Sequence, residues 1–220
     1  MSFYIPLRSV GDWQQLHRPE HWKDGCSAKQ LATAWQQAGG FPSEVSAAFA
    51  ASNVPAFQDI VFLAGFPEFR VDLPPSSRQP SQTDIMVLAR TVRELMVIAV
   101  EGKTREPFSD YVRDWRGYDT EGKVERLAFL GRLLGLDGRD LDGIRYQLLH
   151  RTASALLTAQ RFGAPRAVVL VHSFSPTHDW FDDYTSFLQL FGVTALRGAV
   201  QRAGVVDGIE LYFLWVSGRP

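Results

Sequence analysis

Apolar residues recur along this chain with two periods, and the changes between them set the predicted elements. Leu31, Ala34 and Trp35 repeat at helical spacing ahead of Gly39-Gly40, so a helix is expected over about 28–38, with Ser27 and Gln30 as a capping box. A second helix follows Pro42-Ser43, with Val45, Ala48 and Phe49 on one face. The period then drops to two. Strands are expected at 60–63 and at 66–73, where Phe69, Val71 and Leu73 alternate with Arg70 and Asp72. Residues 84–90 and 95–101 are β-branched and apolar around a short polar turn, which is a hairpin pattern. Helical spacing returns at 109–116, 121–134 and 143–162. The last has Asp140 or Asp142 as N-cap and Gly163 beyond its end. An apolar strand at 167–171, a helix at 180–191 closed by Gly192, and a strand at 209–216 complete the chain.

The order α-α-β-β-β-α-α-α-β-α-β, with a long helix between a hairpin and a fully apolar strand, requires at least one parallel strand pair. The expected fold is therefore α/β, a three-layer sandwich with a mixed central sheet. The segment PPSSRQP at 74–80 reads as a loop between strands. Residues 1–220 are expected to form a single domain: an N-terminal helical extension (1–42), a core (43–173), and a C-terminal helix and strand completing the sheet (174–220).

Charge narrows the partners. With 23 basic and 24 acidic side chains the net charge is −1, which excludes a broadly polycationic nucleic-acid binder. The distribution is uneven: residues 67–166 hold 16 basic and 14 acidic side chains, so a local polyanion site is expected there. One cysteine, Cys26, excludes an internal disulfide and a multi-cysteine zinc site, and fits a reducing compartment. The start has no signal-peptide pattern, and the longest clean apolar run, 95–100, is far too short to span a bilayer. A cytoplasmic protein without membrane contact is expected, its oligomeric state open.

The sharpest chemistry lies on the hairpin. Asp84 opens one strand and Glu101-Gly102-Lys103 closes the next. Alternation puts Glu101 and Lys103 on one face, and antiparallel pairing brings Asp84 to the same edge. Two carboxylates there suit a hard divalent cation, and a neighbouring lysine can orient a water or stabilise a phosphate. The other reading is a same-face ion pair at a strand end. A second Glu-Gly-Lys, at Glu121, opens an amphipathic helix, where an acidic residue merely complements the helix dipole.

Asp84, a spacer, then Glu101-x-Lys103, on this element order, resembles the PD-(D/E)XK nuclease superfamily with its restriction-endonuclease-like αβββαβ core, over roughly residues 43–173. The stretch from His21-Trp22-Lys23-Asp24-Gly25 to Arg151-Thr152-Ala153 also resembles an uncharacterised family of small bacterial proteins. The nuclease resemblance implies phosphodiester hydrolysis of a nucleic acid with Mg²⁺ or Mn²⁺, Asp84 and Glu101 as metal ligands and Lys103 as the catalytic lysine. It also implies Glu44 as a further metal ligand from the helix before the sheet, though the residue alone reads first as a first-turn acid beside a helix dipole. Gln147 matches the start of a Gln-x-x-x-Tyr motif, but position 151 is Arg. Gln82, Arg145, Gln147, His150 and Arg151 are the candidate substrate contacts, with a solvated helix face as the other reading of the last four. Thr83 stands where the motif has proline. The competing function is a catalytically inactive fold of the same kind serving as a protein-interaction or structural module.

Other clusters carry less. His17, Glu20 and His21 have metal-ligand spacing, but Pro19 breaks the helix they would need, and packing histidines are expected. His172 at the end of an apolar strand is expected to be a satisfied core residue. Near His178, the residues Ser175, Thr177, Asp179, Asp182 and Asp183 read as caps and first-turn acids of the helix at 180–191. Phosphate-loop, dinucleotide-binding and serine-hydrolase motifs are missing from the sequence.

Overall fold

The computed structural model describes residue 4, residues 6–118 and residues 120–219, with the side chains of 76–78 excepted. Six strands form one mixed sheet: β1 (Val61–Leu73), β2 (Ser76–Arg90), β3 (Leu95–Lys103), β4 (Arg166–Ser173), β5 (Gln201–Val206) and β6 (Ile209–Ser217). Their order across the sheet is β1-β2-β3-β4-β6-β5. The β1–β2, β2–β3 and β5–β6 pairs are antiparallel, whereas β3–β4 and β4–β6 are parallel. The helices are α1 (Val10–Gln14), α2 (Ser27–Ala38), α3 (Ser43–Ala50), α4 (Val112–Arg116), α5 (Glu121–Leu134), α6 (Tyr146–Phe162) and α7 (Phe181–Gln189).

The period-two alternation of the inner strands divides the interior into two cores. Met96, Ile98 and Val100 of β3, with Val168 and Leu170 of β4, pack with Leu31 and Trp35 of α2 and Val45 and Phe49 of α3. Val97 and Ala99, with Val169 and Val171, pack with Leu130 of α5, Leu149 and Leu156 of α6, and Phe187 of α7. α2, from the segment expected as an extension, thus shares one core with α3.

Several details differ from the expectation. The two strands expected at 60–73 are one continuous strand, and the turn expected over 74–80 contracts to Pro74-Pro75, because β2 already pairs at Ser76. Asp84 therefore lies within β2 rather than at its start. Ser27 is inside α2 and Cys26 is its N-cap, so the Ser27 capping box does not form. A reciprocal box forms at Ser9 and Asp12 instead, opening α1. α6 starts after Arg145 without a side-chain cap, and the Asp140 carboxylate accepts the Asp142 N–H in the preceding turn. Trp180, at φ +69°, precedes α7, while Ser175 Oγ accepts the Asp179 N–H one turn earlier. Gly39 and Gly163 end α2 and α6 in the left-handed region, as their spacing implies.

Candidate functional site

β2, β3 and α6 bring seven of the nine expected residues together, Glu101 at their centre. Glu101 and Lys103 lie on the face of β3 that meets α6, because they continue the parity of Val97 and Ala99. Gln147 and Arg151, four residues apart, share one helical face toward that strand end. Beyond the last β2–β3 pair, Ile85 with Val100, the ladder is closed by a side chain: Asp84 Oδ2 accepts the Gly102 N–H at 2.8 Å.

Glu101 is buried, and both of its oxygens are engaged. Oε1 accepts Lys103 Nζ at 2.6 Å and Gln147 Nε2 at 2.8 Å. Oε2 accepts Arg151 Nε at 2.7 Å and lies 2.5 Å from Arg151 Nη2. Arg151 also donates through Nη1 to the Gln82 carbonyl (2.5 Å) and Thr83 Oγ1 (3.0 Å), and its Nη2 lies 3.9 Å from Asp84 Oδ1. Lys103 is buried as well, with its ammonium 4.9 Å from the centre of the Phe108 ring.

Electrostatics follow from this geometry. Burial alone would raise the Glu101 carboxyl, but the Arg151 and Lys103 charges outweigh it, so its pKa is lowered. Asp84 goes the other way. Burial, then the Glu101 charge, push it up to about 8 although 26% of its side chain stays exposed, and the Arg151 charge offsets only part of this. His150 is held neutral, its pKa lowered to about 3 by burial and then by Arg151. Its Nδ1 lies 2.8 Å from Ser81 Oγ.

Glu68 joins this cluster from β1, and sequence reasoning missed it. Its Oε2 accepts Gln82 Nε2, and its Oε1 lies 3.4 Å from His17 Nε2. Burial, then Glu101, raise its pKa. Glu68 has φ +51°, a left-handed conformation that costs a non-glycine residue about 1–3 kcal/mol. It sits between the pairs Pro67–Ile85 and Phe69–Thr83, opposite Asp84. The only sequence signal was an acid beside a proline within an apolar run.

Two expected members are elsewhere. Glu44 is in α3, which packs on the opposite sheet face, and its Oε1 lies 2.8 Å from His172 Nε2. Arg145 pairs with Asp183 at 2.7 Å and stacks 3.7 Å from the Tyr111 ring centre. Asp183 is thus an ion-pair partner as well as a first-turn acid. His17 stacks on Trp22. Among the described residues, no group of three or more His, Cys, Asp or Glu side chains is placed to hold a metal ion, and no helix is long and apolar enough to cross a membrane. A divalent cation does not fit the arrangement as it stands. Glu101 has both oxygens occupied by protein donors, from Lys103 and Gln147 on one and Arg151 on the other.

No curated protein and no solved structure matches the chain. Residues 6–220 match the family described as a domain of unknown function (DUF6946), and the chain belongs to that family.

Proposed function

We propose that this chain is a restriction-endonuclease-like fold in which fixed protein cations occupy the place of the metal, and that it serves as a non-catalytic structural or protein-interaction module. The observation that carries this reading is the saturation of Glu101 by Arg151 and Lys103. Removing one partner of such a buried pair costs about 3–5 kcal/mol, which an incoming ion would have to offset. Titration of the chain with Mn²⁺ or Mg²⁺ in a calorimeter tests it. The expected result is no heat of binding and no nicking of plasmid DNA. Binding that depends on Asp84 and Glu101, with nicking lost in Lys103→Ala, overturns it.

The convergence of Asp84, Glu101, Lys103, Gln147 and Arg151 from three elements favours a second reading, a PD-(D/E)XK-like nuclease acting on a nucleic acid with Mg²⁺ or Mn²⁺. The crowding that raises Asp84 supports it too, since perturbed carboxyls cluster at functional sites. It requires Arg151 to leave Glu101, so metal binding in Arg151→Ala but not in the wild type supports the first reading over this one.

A further inference from the structure

A cleft of about 1090 Å³ opens between α2 and α3, where the ends of β4 and β6 contribute Phe174, Ser217 and Arg219 to its wall. Crevices beyond the carboxyl ends of parallel strands are recurrent small-molecule sites, and this volume accommodates a small ligand. None of the residues of the Glu101 network lines this cleft.

Its polar wall is built on a buried relay. Trp35 Nε1 donates to His172 Nδ1 at 3.1 Å, so the ring proton is on Nε2, which donates to Glu44 Oε1 at 2.8 Å. Trp35 and His172 are both buried. Gly218, just past β6, packs close to the Nε2 edge of this ring. Ser43 Oγ donates to Glu44 Oε2 at 3.0 Å. The carboxylate is thereby fixed before any ligand arrives, while 28% of the side chain stays exposed in the cleft. Hydrogen bonds, first from His172 and also from Ser43, hold the Glu44 carboxylate ionised, its pKa lowered to about 2, and among the described residues no lysine or arginine pairs with it.

The rest of the lining says what would balance it. Gln30 has its side-chain carbonyl buried with no donor among the described residues, a second acceptor in the same wall. Lys29 is committed to Asp24 at 2.7 Å, which leaves Arg219 as the lining cation without an ion pair among the described residues. An ionised, pre-positioned carboxylate without a lysine or arginine partner, beside a spare carbonyl, selects a donor-rich cation, and a guanidinium without an ion pair selects a carboxylate. We propose that the cleft binds a small zwitterion of the α-amino acid class, its ammonium on Glu44 and its carboxylate toward Arg219.

This site is independent of whether the Glu101 network is catalytic. The test is calorimetric titration of the full chain with a panel of free α-amino acids, each compared with its decarboxylated amine. At least one amino acid is expected to bind, and at least tenfold more tightly than its amine. Glu44→Gln should weaken that binding at least tenfold, and Arg219→Ala should weaken the amino acid while leaving the amine unchanged. Circular dichroism and thermal melting verify that both variants fold; should Glu44→Gln melt early, Arg219→Ala, on an exposed side chain, carries the test. Absence of binding across the panel, binding indifferent to both substitutions, or an amine bound as tightly as its amino acid overturns the proposal.

Discussion

At the scale of single residues, the network is governed by how many charges Glu101 answers. Arg151→Met removes the guanidinium from its Oε2 and leaves Lys103 as the remaining cation. The expected loss is about 3–5 kcal/mol, read as a lowered urea midpoint. A loss below about 1 kcal/mol would show that the pair contributes no more than a surface bridge. Asp84 gives a pH test. Its unfolded carboxyl ionises near 3.8 and its folded one near 8. The unfolded state therefore releases its proton first, and Asp84 lowers stability progressively as pH rises from about 4 through 8. Asn at 84 cannot ionise and can still accept the Gly102 N–H. Asp84→Asn should gain stability relative to wild type as pH rises, with the difference levelling above about pH 8. Urea midpoints at acid, neutral and alkaline pH check this, and a pH-independent difference would refute the raised carboxyl. The burial of Arg151 decides against the solvated face that was its other reading, and Gln147 and Arg151 were reached only through a motif resemblance, whereas Glu101 and Lys103 were legible because strand parity is a local rule. Glu68 was not, since its reach depends on a left-handed backbone that no local pattern signals.

At the scale of elements, strong periodicity located helices and inner strands well, and weak periodicity did not. α2, α3, α5 and α6 lie where the 3.6-residue repeat put them, because each has an apolar stripe that must be covered. β5 escaped notice, since an edge strand of sequence QRAGVV is half exposed and needs little alternation. Glu44 was placed correctly on its helix but not on its sheet face, a choice made by packing rather than by local sequence. That packing is close where Gly218, just past β6, meets His172. A Cβ on Gly218 would stand 2.5 Å from His172 Nε2 and 2.6 Å from the Phe174 ring, while the Gly218 N–H bonds the Ser173 carbonyl at 2.8 Å. His172 is fixed by Trp35 and Glu44 and cannot yield cheaply. Gly218→Ala is expected to cost about 1–3 kcal/mol. Thermal melting of that variant against wild type measures the clash, since Gly218 lacks the left-handed φ that strains Gly208→Ala. Gly208 has open space around its Cβ position but φ +78°, so its loss reports backbone strain alone.

At the scale of the whole molecule, one sheet serves two cores, and this dictates how the protein unfolds. Neighbouring residues of β3 point to opposite sides, Ile98 toward Leu31 and Trp35, Val97 toward Leu149 and Leu156. Neither core can open without stripping one face from strands that the other needs. Unfolding should therefore be one cooperative transition, despite a chain long enough for two independent units. Leu31→Ala and Leu149→Ala each empty a fully buried site, one on each face, and each should cost about 2–5 kcal/mol. Both should shift the same urea transition, seen alike by far-ultraviolet circular dichroism and by tryptophan fluorescence. The fluorescence samples both cores, because Trp13 and Trp35 lie in one and Trp215 in the other. If the core were divisible, Leu31→Ala would split the curve, with Trp35 reporting an early phase that dichroism follows only in part. Coincident curves in both variants would establish that the sheet couples the Glu44 cleft on one face to the Glu101 network on the other. A local loss on either side would then lower the population of the whole fold, so binding assays on core variants must be read at matched folded fraction.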